Sequence, residues 1–101
     1  MSNLEWLEKW YLQNTDGEWE HFYGVSIGTL DNPGWFVHID LRETKFENTK
    51  FDEIYQDRGE NDWIRCVVED EIFKGVGDSL KLNQIIEVFR NWVESSKLVI
   101  H

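Results

Sequence analysis

Along the first fourteen residues the apolar positions recur at helical spacing. Leu4, Trp6, Leu7, Trp10 and Tyr11 fall on one broad arc at about 100° per residue, with Glu5, Lys9 and Gln13 on the other side. Ser2 and Glu5 have the capping-box spacing, in which the Ser2 side chain accepts from the Glu5 N–H and the Glu5 carboxylate accepts from the Ser2 N–H. A helix is therefore expected from this cap to about Asn14, stopped by Asp16-Gly17. Its two tryptophans read as anchors onto a sheet, with an exposed recognition role as the alternative.

From Tyr23 the period drops to two. Tyr23, Val25 and Ile27 share the inner face of a first strand, and Phe22, Gly24, Ser26 and Gly28 the outer one. After Asp31-Asn32-Pro33-Gly34 the alternation returns, with Trp35, Val37, Ile39 and Leu41 inward and Phe36, His38, Asp40 and Arg42 outward. Opposed residues share a face and the inward residues of both strands carry odd numbers, so the loop holds an odd number of residues. A five-residue loop, Leu30 to Gly34, suits the sequence better than Asn32-Pro33-Gly34 alone, because the residue before proline avoids helical backbone. Pro33-Gly34 then fits the centre of a type II turn. This register sets Tyr23 opposite Leu41, Val25 opposite Ile39 and Ile27 opposite Val37. On the outer face Gly24, Ser26 and Gly28 leave nearly bare backbone beside Phe36, His38 and Asp40. Strand glycines of this kind mark either an internal bulge or packed loop, or the close approach of a partner.

Arg42 to Lys50 reads as an irregular crossing with Phe46 inward. Phe51 to Arg58, Trp63 to Glu69 and Ile72 to Val76 read as three further strands, and their short connections favour an antiparallel meander. Gly77-Asp78-Ser79 supplies a turn and cap. Beyond it Leu82, Ile85, Ile86, Val88, Phe89, Trp92 and Val93 form one arc of a closing helix from about Leu80 to Glu94, with Asn83, Gln84, Glu87, Arg90, Asn91 and Glu94 solvated. Leu98-Val99-Ile100 would add a tail contact or an edge strand. The expected fold is α+β: an antiparallel sheet of about five strands with an N-terminal and a C-terminal helix on one face.

Composition supports folding as one domain over residues 1–101, since 41% hydrophobic content with six Trp, six Phe and three Tyr fills a core despite a formal charge of −10. Twenty acids against ten bases disfavour direct binding to nucleic acid or anionic lipid; a basic protein is the more natural partner, with acidity that merely keeps a cytoplasmic protein soluble as the alternative. Glu5 and Glu8 interrupt the N-terminal apolar residues, so neither a signal peptide nor a membrane span is expected there, and a single cysteine agrees with a reducing, cytoplasmic location.

Catalytic chemistry is thin. Cys66 alternates with Ile64 and Val68 and reads as a buried structural thiol; His38 with Asp40 could support acid–base work but such pairs are common on strands. His21, His38 and His101 lack metal-ligand spacing, and no phosphate or dinucleotide loop is present, so neither metal nor cofactor is expected. Acids crowd the middle third at Asp52, Glu53, Asp57, Glu60, Asp62, Glu69, Asp70 and Glu71.

Gly17-Glu18-Trp19-Glu20-His21 leading into Tyr23-Gly24-Val25, the run Thr29-Leu30-Asp31-Asn32-Pro33-Gly34-Trp35, then Asp62-Trp63-Ile64 and a closing helix with Phe89 and Trp92-Val93 resemble the immunity protein 53 family of bacterial polymorphic toxin systems. The resemblance implies a small cytosolic, non-catalytic protein that binds and neutralises a cognate toxin domain. Many such toxins are nucleases with cationic clefts, for which an acidic inhibitor is suited. The residues expected at the toxin are Phe36, His38, Asp40, Asp57, Glu60, Asp62 and Asp70. The alternative reading is an acidic adaptor for another basic protein, and after it an enzyme working through Cys66 or through His38 with Asp40.

Overall fold

Both capping-box bonds form at the start of helix α1 (Asn3–Asn14), with the Glu5 N–H 3.1 Å from Ser2 Oγ and the Ser2 N–H 3.0 Å from Glu5 Oε1. The computed structural model describes residues 1–97, so the expected contact of Leu98-Val99-Ile100 lies outside the described residues. Trp6, Leu7 and Trp10 are buried, whereas Leu4 and Tyr11, expected inward, are 57% and 39% exposed. The reason is that α1 packs chiefly on the closing helix rather than flat on the sheet.

A second helix, α2 (Trp19–Phe22), was not legible from periodicity. Asp16 accepts from the Glu18 and Trp19 N–H groups and Glu20 accepts from those of Asp16 and Gly17, a local knot that turns Trp19 into the core. Tyr23 closes this helix through its N–H to Trp19 O at 2.8 Å, so it is not in the first strand as expected. Gly24, at φ +115°, redirects the chain into β1.

Five strands follow: β1 (Val25–Leu30), β2 (Gly34–Asp40), β3 (Ile54–Asp57), β4 (Trp63–Glu69) and β5 (Ile72–Gly77), all antiparallel in the order β1-β2-β5-β4-β3. A plain meander would seat β3 beside β2. Instead β5 lies there, joining the β1–β2 hairpin to the β3-β4-β5 meander. Residues 41–53 cross to the far edge, packing Phe46 and Phe51 against Trp92. That inward turn of Phe51 leaves β3 shorter than the expected Phe51 to Arg58.

The hairpin register is the expected one, Val25 facing Ile39 and Ile27 facing Val37, but pairing continues to Leu30 and Gly34 and leaves only residues 31–33 as loop. Gly34 does not take the positive φ of a type II turn. Its glycine is required because a Cβ there would strike the carbonyl oxygen of Gly77. The two-residue turn between β4 and β5 places Asp70 and Glu71 at φ 54° and 61°, as a type I′ hairpin demands, and Leu41 N–H and Asn48 N–H anchor Glu71 at 2.8 and 2.6 Å.

Helix α3 (Leu82–Lys97) starts later than the expected Leu80. The Asp78 carboxylate accepts from the Trp63 and Leu80 N–H groups and from Lys81 Nζ, closing a turn that leaves Leu80 in solvent. Ile85, Ile86, Phe89 and Val93 are buried, and Ile85 fits where Gly75 has no side chain. Phe89 is the centre, with ring centroids 5.0 Å from Trp10 and Phe73 and 5.9 Å from Trp6. The fold is thus α+β, with one five-stranded antiparallel sheet, an N-terminal and a C-terminal helix. No helix among the described residues is long and apolar enough to cross a membrane.

Candidate functional site

Strand alternation gives the sheet two faces. One carries Val37, Ile39, Phe73, Ile64 and Cys66 into the core beneath the helices. On the other, register alone assembles cross-strand rows: Gly28, Phe36, Val76, Arg65 and Tyr55; then Ser26, His38, Lys74 and Val67; then Asp40, Ile72 and Glu69. No helix covers this face among the described residues. Phe36, Val76, Val67 and Ile72 are half-buried by their neighbours, and Tyr55 is 62% exposed.

The bare strip expected beside Phe36 has an internal cause. A Cβ on Gly28 would overlap the Phe36 ring, which lies across the neighbouring strand and also meets His38 at 4.9 Å between ring centroids. Phe22, Tyr23, Ser26, His38, Asp40 and Ile72 surround an open depression of about 210 Å³ at the β1 side of this face.

Phe36 and His38 therefore sit on the β1 side of the open face, on the strand next to its edge. Asp40 borders the depression, but Arg42 holds both its carboxylate oxygens at 3.0 and 2.6 Å, stacks its guanidinium 4.8 Å from the Tyr23 ring centroid, and leaves no carboxylate to orient His38. Burial, then the positive charge of Lys74, holds His38 below its ordinary pKa, so it is neutral at pH 7. Asp57, Glu60 and Asp62 gather at the β3–β4 turn, where Asp57 accepts from the Gly59 N–H and Asp62 pairs with Lys81 at 2.9 Å. Asp70 lies at the β4–β5 turn, the opposite end of a seven-residue strand roughly 20 Å long. Glu60 and Asp70 make no ion pair among the described residues. The acids named from sequence thus form two end clusters rather than one patch.

Lys74, Arg65, Val67, Val76, Ile72 and Tyr55 complete the face and were missed as candidates. Alternation on β4 and β5 held the signal, since placing Cys66 inward sends Arg65 and Val67 outward. Cys66 itself is fully buried, and desolvation pushes its thiol up to about 12, the wrong direction for a nucleophile. Among the described residues no three His, Cys, Asp or Glu side chains converge as metal ligands would.

The family model described as immunity protein 53 matches residues 4–94, almost the whole chain. The chain belongs to the immunity protein 53 family. No curated protein and no solved structure matches it. In this immunity protein 53 member the sheet face left open by its helices is mixed in polarity, with Phe36, Tyr55 and Arg65 set among Val67, Val76 and Ile72 and beside Lys74, Glu69 and Asp40.

Proposed function

We propose that residues 1–101 act as one cytoplasmic immunity domain that binds a cognate toxin domain stoichiometrically and blocks it in the producing cell. The family match carries this reading. The open face around Phe36 and His38 supports it by offering ready-made aromatic and aliphatic contact area, and aromatic groups dominate binding energy in protein interfaces.

The formal charge of −10 favours a basic toxin, a nuclease among the candidates. Because Asp57 and Glu60 stand at one end of the face and Asp70 at the other, their field steers approach rather than making one point contact. Combined reversal of Asp57, Glu60 and Asp70 is expected to slow association and to flatten its salt dependence. Affinity that is unchanged between low and high salt in the unaltered protein counts against the electrostatic part.

Co-expression with the toxin domain encoded beside the gene tests the function itself, scoring survival and complex formation together. Survival with a one-to-one complex is the expected result. Survival without a complex contradicts simple occlusion, and binding to an unrelated basic protein without protection favours an adaptor.

A further inference from the structure

The two edges of the sheet are built differently. The β3 edge is four residues long, ends in Asp57 and is flanked by Asp52, Glu53 and Arg58, the charged, short edge that resists further pairing. The β1 edge is six residues, Val-Ser-Ile-Gly-Thr-Leu, without one charge or proline, in a chain that is 30% charged. The Asp40 N–H donates to Gly24 O at 3.0 Å, so by alternation Ser26, Gly28 and Leu30 bond to β2 while the N–H and C=O groups of Val25, Ile27 and Thr29 point off the sheet. No described residue bonds to those outward groups.

The helix-side flank of this edge is apolar and exposed, and the other flank is mixed, with Phe22 beside Ser26, His38 and Asp40. On the helix side Leu4, Leu7, Tyr11, Val25 and Ile27 line a groove of about 260 Å³ whose remaining wall is Glu8, which has no ion-pair partner among the described residues. Leu4, Tyr11 and Ile27 are 57%, 39% and 41% exposed there, and on the other flank Phe22 is 74% exposed. An added strand presents alternate side chains to the two faces, so one set would find the apolar groove and the other the mixed surface of Phe22, Ser26 and His38.

We infer that β1 accepts an extended segment of a basic partner protein as a sixth strand, with an aliphatic side chain in the Leu4–Tyr11–Ile27 groove and a Lys or Arg at Glu8. The inference rests on the immunity reading for the identity of that partner, the toxin domain. Charge selects this occupant over a second copy of the chain, because two protomers of −10 would meet edge to edge.

Amide hydrogen exchange, read by NMR on the protein alone and in complex with the catalytically inactivated toxin domain encoded beside its gene, tests this without any substitution. The Val25, Ile27 and Thr29 amides are expected to exchange rapidly alone and at least about tenfold more slowly in the complex. Ile27→Lys and Thr29→Pro, the latter removing an outward N–H while sparing the bonds to β2, should each weaken the complex by about tenfold or more with the melting temperature nearly kept. A complex that forms while these amides stay unprotected overturns the strand addition and leaves the immunity reading standing. Protection of the same amides by self-association in the absence of toxin overturns it in favour of a second copy. Absence of any complex overturns the immunity reading and this occupant with it.

Discussion

The two faces of the sheet are made by the same strands, yet they obey different rules. On the helix side large side chains are fully buried, and glycine appears where α3 needs room: Ile85 lies against Gly75, and a Cβ on Gly77 would come within 2.6 Å of the Lys81 Cβ. On the open side Gly28 is roofed by a neighbouring aromatic ring, and Arg65, Lys74 and His38 alternate with Phe36, Val67 and Val76. A covered face is tuned to volume, and small errors there are expensive. An uncovered face carries no such constraint at its exposed positions, so side chains there can change with little effect on folding.

The largest effect should come from Phe89→Ala, which empties the contact between both long helices and β5 and is expected to cost about 3–5 kcal/mol in urea unfolding. Gly75→Val, which adds volume against Ile85, should cost about 1–3 kcal/mol in the same measurement. A smaller, pH-dependent effect belongs to Asp78. The Lys81 ammonium, aided by the Leu80 and Trp63 N–H groups, lowers its pKa from 3.8 to about 2. A carboxylate depressed by folding stabilises above its ordinary pKa and loses that contribution as pH falls toward 2. Asp78→Asn should therefore lower the melting temperature most above pH 4, and the gap to the unaltered protein should narrow between pH 4 and 2. Least affected is Tyr55→Ala on the open face, expected within about 0.5 kcal/mol of the unaltered stability. If Tyr55→Ala proves as damaging as Phe89→Ala, the division between the faces fails.

What was legible in the sequence was local. The Ser2–Glu5 cap, the inward Val25, Val37 and Ile39 of the hairpin, the limits of β4 and the buried stripe of α3 depend on residues within a turn or two of each other. Helix α2 escaped because four residues are too few to show a period, and its stability comes from Asp16 and Glu20 bonding to backbone. Strand order escaped because nothing between Leu41 and Phe51 states where β5 will insert. The candidate face was half legible: Phe36 and His38 followed from alternation, while the capture of Asp40 by Arg42 and of Asp62 by Lys81 needed the fold. Gly34 was correctly singled out, but for its turn rather than for its approach to Gly77.

The insertion of β5 between β2 and β4 has a consequence in time. Trp35 pairs with Gly77 and Asp40 with Ile72, while Trp6 and Trp10 wait for Phe89, so neither the N-terminal hairpin nor α1 has its neighbour until the C-terminal third has been synthesised. Contacts so distant in sequence slow folding and postpone it until β5 and α3 are available. A nascent chain halted before α3 would hold an unfinished core, with Trp6 and Trp10 still lacking the Phe89 ring they pack against.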